Sequence, residues 1–146
     1  MNTTIKKEDV GLLFIRVMLG IVFIFHGSQK LFGLFGGYGI EGTAGWMGSI
    51  GIPFPTVNAI LAGGTEFFGG LLLITGIMAR LAAIPLMFTM LVASFVAHGS
   101  AFDIQKGGME YPLTLAVVLL GLALIGPGNI ALSCCKGKSC TITKEA

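Results

Sequence analysis

Charge is scarce in this chain. Asp, Glu, Lys and Arg together make up 11% of its 146 residues, against about 25% in ordinary soluble domains. So few charged side chains cannot coat a water-facing surface, which excludes a free soluble domain. The net charge is only +2, which excludes the broad basic field that nucleic acid demands. Cysteine is confined to Cys134, Cys135 and Cys140 near the end, so no disulfide framework staples the chain. There is no internal repeat, phosphate-binding glycine loop, nucleophile elbow or haem-attachment motif. No flavin motif is present, and no helix carries ligands at metal spacing, so no metal is expected.

What is abundant is apolar. Hydrophobic residues make up 54% of the chain, and there are 23 glycines. Glycine at that level suits membrane helices, where it lets backbones approach closely. Four apolar segments stand out, at about 10–31, 57–78, 81–97 and 109–125. A spanning helix needs about 20 residues, so the last two are at the short end. The expectation is an all-α membrane protein, a bundle of four transmembrane helices occupying residues 1–133, with a polar tail at 134–146. Lys6 and Lys7 precede the first segment as they would in a signal peptide. Arg16 interrupts it and no small-residue cleavage site follows, so it reads as a retained span.

The distribution of cations sets the orientation. With the N-terminus in the cytoplasm, Lys6, Lys7, Arg80, Lys136, Lys138 and Lys144 fall inside, and only Lys30 and Lys106 fall outside. Both termini are therefore expected on the cytoplasmic side of a multi-pass inner-membrane protein. The second and third spans meet in a tight hairpin at "MARLA". A long outer segment, "GLFGGYGIEGTAGWMGSIGIPFP", joins the first and second. Thr43 would cap a short interfacial helix there, with Trp46 at the membrane surface and Pro53 and Pro55 closing the segment.

Ionisable residues inside spans are costly and mark candidate sites. At about 1.5 Å per residue, His26 lies about 24 Å above Val10, with Lys30 one turn beyond. His98 reaches the same outer level from the third span, and Glu110 opens the fourth. These side chains form the expected rim of an outward-facing polar pocket. Glu66 lies deeper, among Ala62, Gly63, Gly69 and Gly70 on one helix face. Arg16, Gly20, Phe23, Gly27 and Lys30 form a matching stripe, and an Arg16–Glu66 pair is expected, since an unpaired buried charge costs several kcal/mol. Plainer readings remain open. Arg16 with Glu66 could be a structural pair, Lys30 could reach for the interface, Glu110 suits a helix N-terminus, and the histidines could be interfacial hydrogen-bonders. The tail "SCCKGKSC" matches no zinc pattern. It reads as a solvated segment whose thiols lie beside Lys136 and Lys138.

Five stretches resemble the DoxX family of small membrane proteins: "RVMLGIVFIFHGSQKLFG", "LAGGTEFFGGLLLITGIMARLAA", "VAHG", "GMEYPL" and "LIGPGN". They appear in family order from Gly11 to Leu132. The family's usual polar ending with an aspartate is replaced here by "NIALSCCKGKSC". The resemblance implies a four-helix bundle in a bacterial cytoplasmic membrane. It also implies association with redox systems, one branch including a subunit of a thiosulfate:quinone oxidoreductase, others being linked to sulfur or oxidative-stress handling. On that basis the expected ligand is quinone, with His26, His98 and Glu66 in catalytic roles and Arg16, Lys30 and Glu110 in binding. The expected partner is an oxidoreductase subunit or a second copy of the chain, with lipid around it. A small transporter gated by Arg16 and Glu66, or a scaffold for a soluble oxidoreductase, are the competing readings.

Overall fold

The computed structural model describes residues 5–132, so Cys134, Cys135 and Cys140 lie outside the described residues. Among the described residues there is no strand. Helix α1 spans Lys7–Phe32, α2 Gly39–Ser49, α3 Pro55–Thr75, α4 Ala79–Val92 and α5 Glu110–Ile125. A π-type turn, Ala93–Ala97, extends α4, with the His98 N–H reaching back to the Ala93 carbonyl. Helix α1, helix α3 and the continuous stretch Ala79–Ala97 are long and apolar enough to cross a membrane, whereas α5 has 16 residues.

Local chemistry accounts for the boundaries. Asp9 in the first turn of α1 accepts the Lys6 backbone N–H at 3.0 Å, satisfying a donor at the helix start. Gly33, at φ 69°, ends α1 in the left-handed conformation that glycine adopts most cheaply. Pro55 is the first residue of α3, where its missing N–H costs nothing. The short helix expected in the long connection is present as α2. Its start differs from expectation, because Thr43 is buried inside α2 and does not cap it. The helix begins four residues earlier, at a glycine, because it packs on α3 along its length rather than lying free at a surface.

Helix α1 packs most extensively on α3, and α4 packs on α5. The α1–α3 seam is built on small residues. A Cβ on Gly27 would fall 2.5 Å from the Phe67 backbone nitrogen, and one on Gly70 would fall 2.7 Å from the Gly20 carbonyl. Only glycine lets these two backbones approach this closely. Phe23, Leu73, Leu86 and Leu119, contributed by four different helices, are fully enclosed at the centre. The outside is inverted relative to a soluble protein. Phe14, Met18, Phe68, Phe88, Val117 and Leu124 are all more than 60% exposed, a surface that hydrocarbon rather than water would cover.

One end of the molecule gathers the starts of α1 and α4 and the ends of α3 and α5. There the segment after α5 folds back across α1. Asp9 accepts the Asn129 backbone N–H at 2.8 Å and its side-chain amide at 3.1 Å, and the Leu132 N–H donates to Thr75. Arg80 donates to the Ile125 carbonyl at 2.8 Å, placing a cation at the C-terminus of α5. The opposite end carries α2 and the site described next.

Candidate functional site

The expected Arg16–Glu66 pair is not formed. Glu66, 1% exposed, pairs with Lys30, whose Nζ lies 2.5 Å from its Oε2. Arg16 is fully buried elsewhere. It donates to the Ile130 carbonyl and, at 3.4 Å, to Leu73, and its Nε has no partner among the described residues.

The reason lies in helix register and side-chain direction. Gly20 meets Gly70 and Gly27 meets Gly63, so Glu66 stands level with Ile24 on α1. Lys30 is then about 9 Å above it and Arg16 about 12 Å below. Helical side chains lean toward their own N-terminus. Lys30 therefore leans toward Glu66 and Arg16 leans away. Arg16 instead meets the Leu73 carbonyl in the last turn of α3, where the helix dipole favours a cation.

A cavity of about 230 Å³ opens beside the Lys30–Glu66 pair. Its polar lining is His26, Lys30, Trp46, Glu66, Thr89, His98 and Tyr111, and the rest is apolar, including Phe23, Met90 and Leu115. Helices α1 to α5 all contribute. Of the six candidate residues, His26, Lys30, Glu66 and His98 are thus brought together. Arg16 and Glu110 do not line the cavity. Glu110 turns back to accept the Ile104 N–H at 3.1 Å and holds the connection before α5.

Hydrogen bonds set the state of both histidines. The Gln29 amide nitrogen donates to the Phe35 carbonyl, so its oxygen is the acceptor that faces His26 Nδ1 at 3.2 Å. His98 Nδ1 lies 2.8 Å from the Gly107 carbonyl. A carbonyl oxygen only accepts, so each Nδ1 carries a proton and Nε2 is left as the nitrogen that can take up or give one. Tyr111 stands with its ring centroid 6.3 Å from that of His26. Sequence reasoning passed over Tyr111, although it follows Glu110 directly in "GMEYPL". Trp46, expected at the membrane surface, is 44% exposed and also helps line the cavity.

A second recess of about 450 Å³ adjoins the first on the side of α2. Its lining side chains are His26, Gln29, Lys30, Tyr38, Thr43 and Trp46, interspersed with Gly36, Gly37 and Gly42. His26, Lys30 and Trp46 line both spaces. Among the described residues no cluster of three or more His, Cys, Asp or Glu side chains is arranged to hold a metal.

Comparison with known proteins gives the site a setting. The chain is 31% identical to a Bacillus subtilis protein named "Putative oxidoreductase CatD", over 87% of both chains. It is 29% identical to the Escherichia coli "Inner membrane protein YphA", over 88% of this chain and 96% of that one. It is 32% identical to the Escherichia coli "Inner membrane protein YqjF", over 87% and 92% respectively. No solved structure matches. The family model described as DoxX matches residues 11–99, which hold the α1–α3 seam, the Lys30–Glu66 pair and both histidines, and the chain belongs to the DoxX family of membrane proteins.

Proposed function

We propose that this protein is a multi-pass inner-membrane subunit with quinone-linked oxidoreductase activity, serving oxidation of thiols or sulfur compounds or the handling of oxidative stress. The observation that carries the reading is the composition of the cavity. Apolar walls surround two histidines, a tyrosine and an ion pair whose carboxylate is buried. A dry apolar cavity of about 150 Å³ accepts benzene, so about 230 Å³ suits one substituted ring. Ring oxygens require polar partners at the rim: the Tyr111 hydroxyl can donate to a quinone oxygen, and Nε2 of His26 and His98 can accept from quinol hydroxyls. The printed name of the Bacillus subtilis relative, an oxidoreductase, points the same way.

In this reading the chain supplies binding and proton transfer. Once Nε2 has also taken up a proton, His26 and His98 give that proton to the ring oxygens as two electrons arrive from the thiol or sulfur donor through a partner oxidoreductase. In the reverse direction Nε2 of each takes a proton back. Lys30 steadies negative charge on an oxygen, and Glu66 holds Lys30 in place. Four spans with both termini in the cytoplasm would put the cavity toward the outer face, since Lys6, Lys7 and Arg80 lie at the opposite end.

Trp46 is the sole tryptophan and lines the cavity, so quenching of its fluorescence reports ring binding. A fully substituted benzoquinone, which cannot add thiols, is titrated into the protein in lipid nanodiscs. Saturable quenching is expected, and the same ring reduced to its quinol, whose hydroxyls donate to Nε2, is expected to bind about tenfold more weakly to His26→Ala, the loss of one hydrogen bond to a buried partner. Quenching that never saturates, or quinol binding as tight in His26→Ala and His98→Ala as in the wild type, would sink the reading.

A further inference from the structure

The two adjoining spaces differ in the residue types that line them. The inner cavity has ten apolar side chains among its seventeen lining residues. Every side chain lining the outer recess carries a polar group, and its remaining wall is glycine. The three side chains common to both are a histidine, a lysine and the indole of Trp46. A ring seated in the inner cavity therefore has its continuation among Gln29, Lys30, Tyr38 and Thr43. Those groups suit a hydrated or anionic substituent. A long hydrocarbon chain laid there would strip water from them without returning a hydrogen bond.

We propose that the ligand is a single-ring quinone or quinol bearing a short polar substituent, the ring in the inner cavity and the substituent in the outer recess. This rests on the quinone reading above and narrows it. The ligand reaches the site through the recess beneath α2 rather than sideways from the lipid. Lys30 serves both spaces: it pairs with Glu66 on the inner side and offers its remaining N–H donors to an anionic substituent on the outer side. Trp46, 44% exposed on α2, forms the wall past which the ring moves.

The test holds the ring constant. A dimethoxy-methyl-benzoquinone carries at its last free position either a short carboxyalkyl chain or a decyl chain. Both are titrated into the protein in nanodiscs, with uptake by protein-free nanodiscs subtracted. The carboxyalkyl form is expected to bind about tenfold more tightly, the worth of a hydrogen bond to a charged group. That preference is expected to shrink in Gln29→Leu and, independently, in the near-isosteric Thr43→Val. Tighter binding of the decyl form would overturn the proposal and leave the quinone reading standing. Failure of both forms to bind would overturn both. A carboxyalkyl preference unchanged in folded Gln29→Leu and Thr43→Val would overturn the placement of the substituent in the recess.

Discussion

Glu66 and Lys30 are unequal partners. Glu66 is enclosed, while the Lys30 side chain keeps 28% of its surface exposed. Replacing Lys30 by Met leaves a carboxylate in an apolar interior, at a cost of about 3 kcal/mol or more. Replacing Glu66 by Gln leaves a lysine that swings toward the outer recess, costing about 1 kcal/mol. Unfolding in mild detergent is therefore expected to rank Lys30→Met well below Glu66→Gln, with the double variant recovering much of the loss. Equal losses, or no recovery, would show that the pair is not what stabilises Glu66. Arg16 has no such carboxylate partner among the described residues. Its hydrogen bonds go to backbone carbonyls of two separate segments, so it ties the turn after α5 to the end of α3.

At the scale of elements, the α1–α3 seam decides which glycines tolerate a methyl group. A Cβ on Gly27 meets Phe67 backbone at 2.5 and 2.8 Å, and that backbone has nowhere to move without parting the helices. Gly64, on α3, has nothing within 4 Å of the same added atom. Gly27→Ala is expected to cost about 2 kcal/mol through overpacking, whereas Gly64→Ala is expected to be neutral or stabilising by up to about 1 kcal/mol through helix propensity. Thermal unfolding of the two variants side by side checks this, and a tolerated Gly27→Ala would mean the seam is looser than described. The same seam carries Lys30 to Glu66. Gly27→Ala is accordingly expected to weaken ring binding as well as stability.

For the whole molecule, the open quantity is which end faces which compartment. The end that carries α2 and both recesses is expected outside the cytoplasm, from the bias of Lys6, Lys7 and Arg80 toward the other end. Glu41 on α2 and Glu8 on α1 are both exposed, at opposite ends. With Cys134, Cys135 and Cys140 replaced by Ser, a cysteine at position 41 should react with a membrane-impermeant maleimide in intact cells. One at position 8 should react only after lysis. The reverse pattern would invert the orientation and bring the recess, and any water-borne ligand, to the cytoplasmic side.

Hydropathy and glycine content were enough to read an all-helical membrane protein, and the small-residue stripes showed which faces of α1 and α3 turn inward. Counting residues along each helix also brought His26, Lys30 and His98 to one level. These properties belong to one helix at a time, and the rise and period of a helix follow from the backbone alone. The partner of Glu66 was not legible that way. Arg16 and Lys30 share one stripe on α1 and lie at similar distances from Glu66, and the sequence holds no record of the register between two antiparallel helices. That register is set by where Gly20 and Gly27 let α3 come close, and the lean of side chains toward the α1 N-terminus then gave Glu66 to Lys30. The packing of α2 against α3 was equally out of reach, because an apolar connection reads alike whether it lies on a membrane or folds into the protein. Only the packed chain could decide that Thr43 and Met47 turn inward, since that choice depends on surfaces contributed by residues far away in sequence.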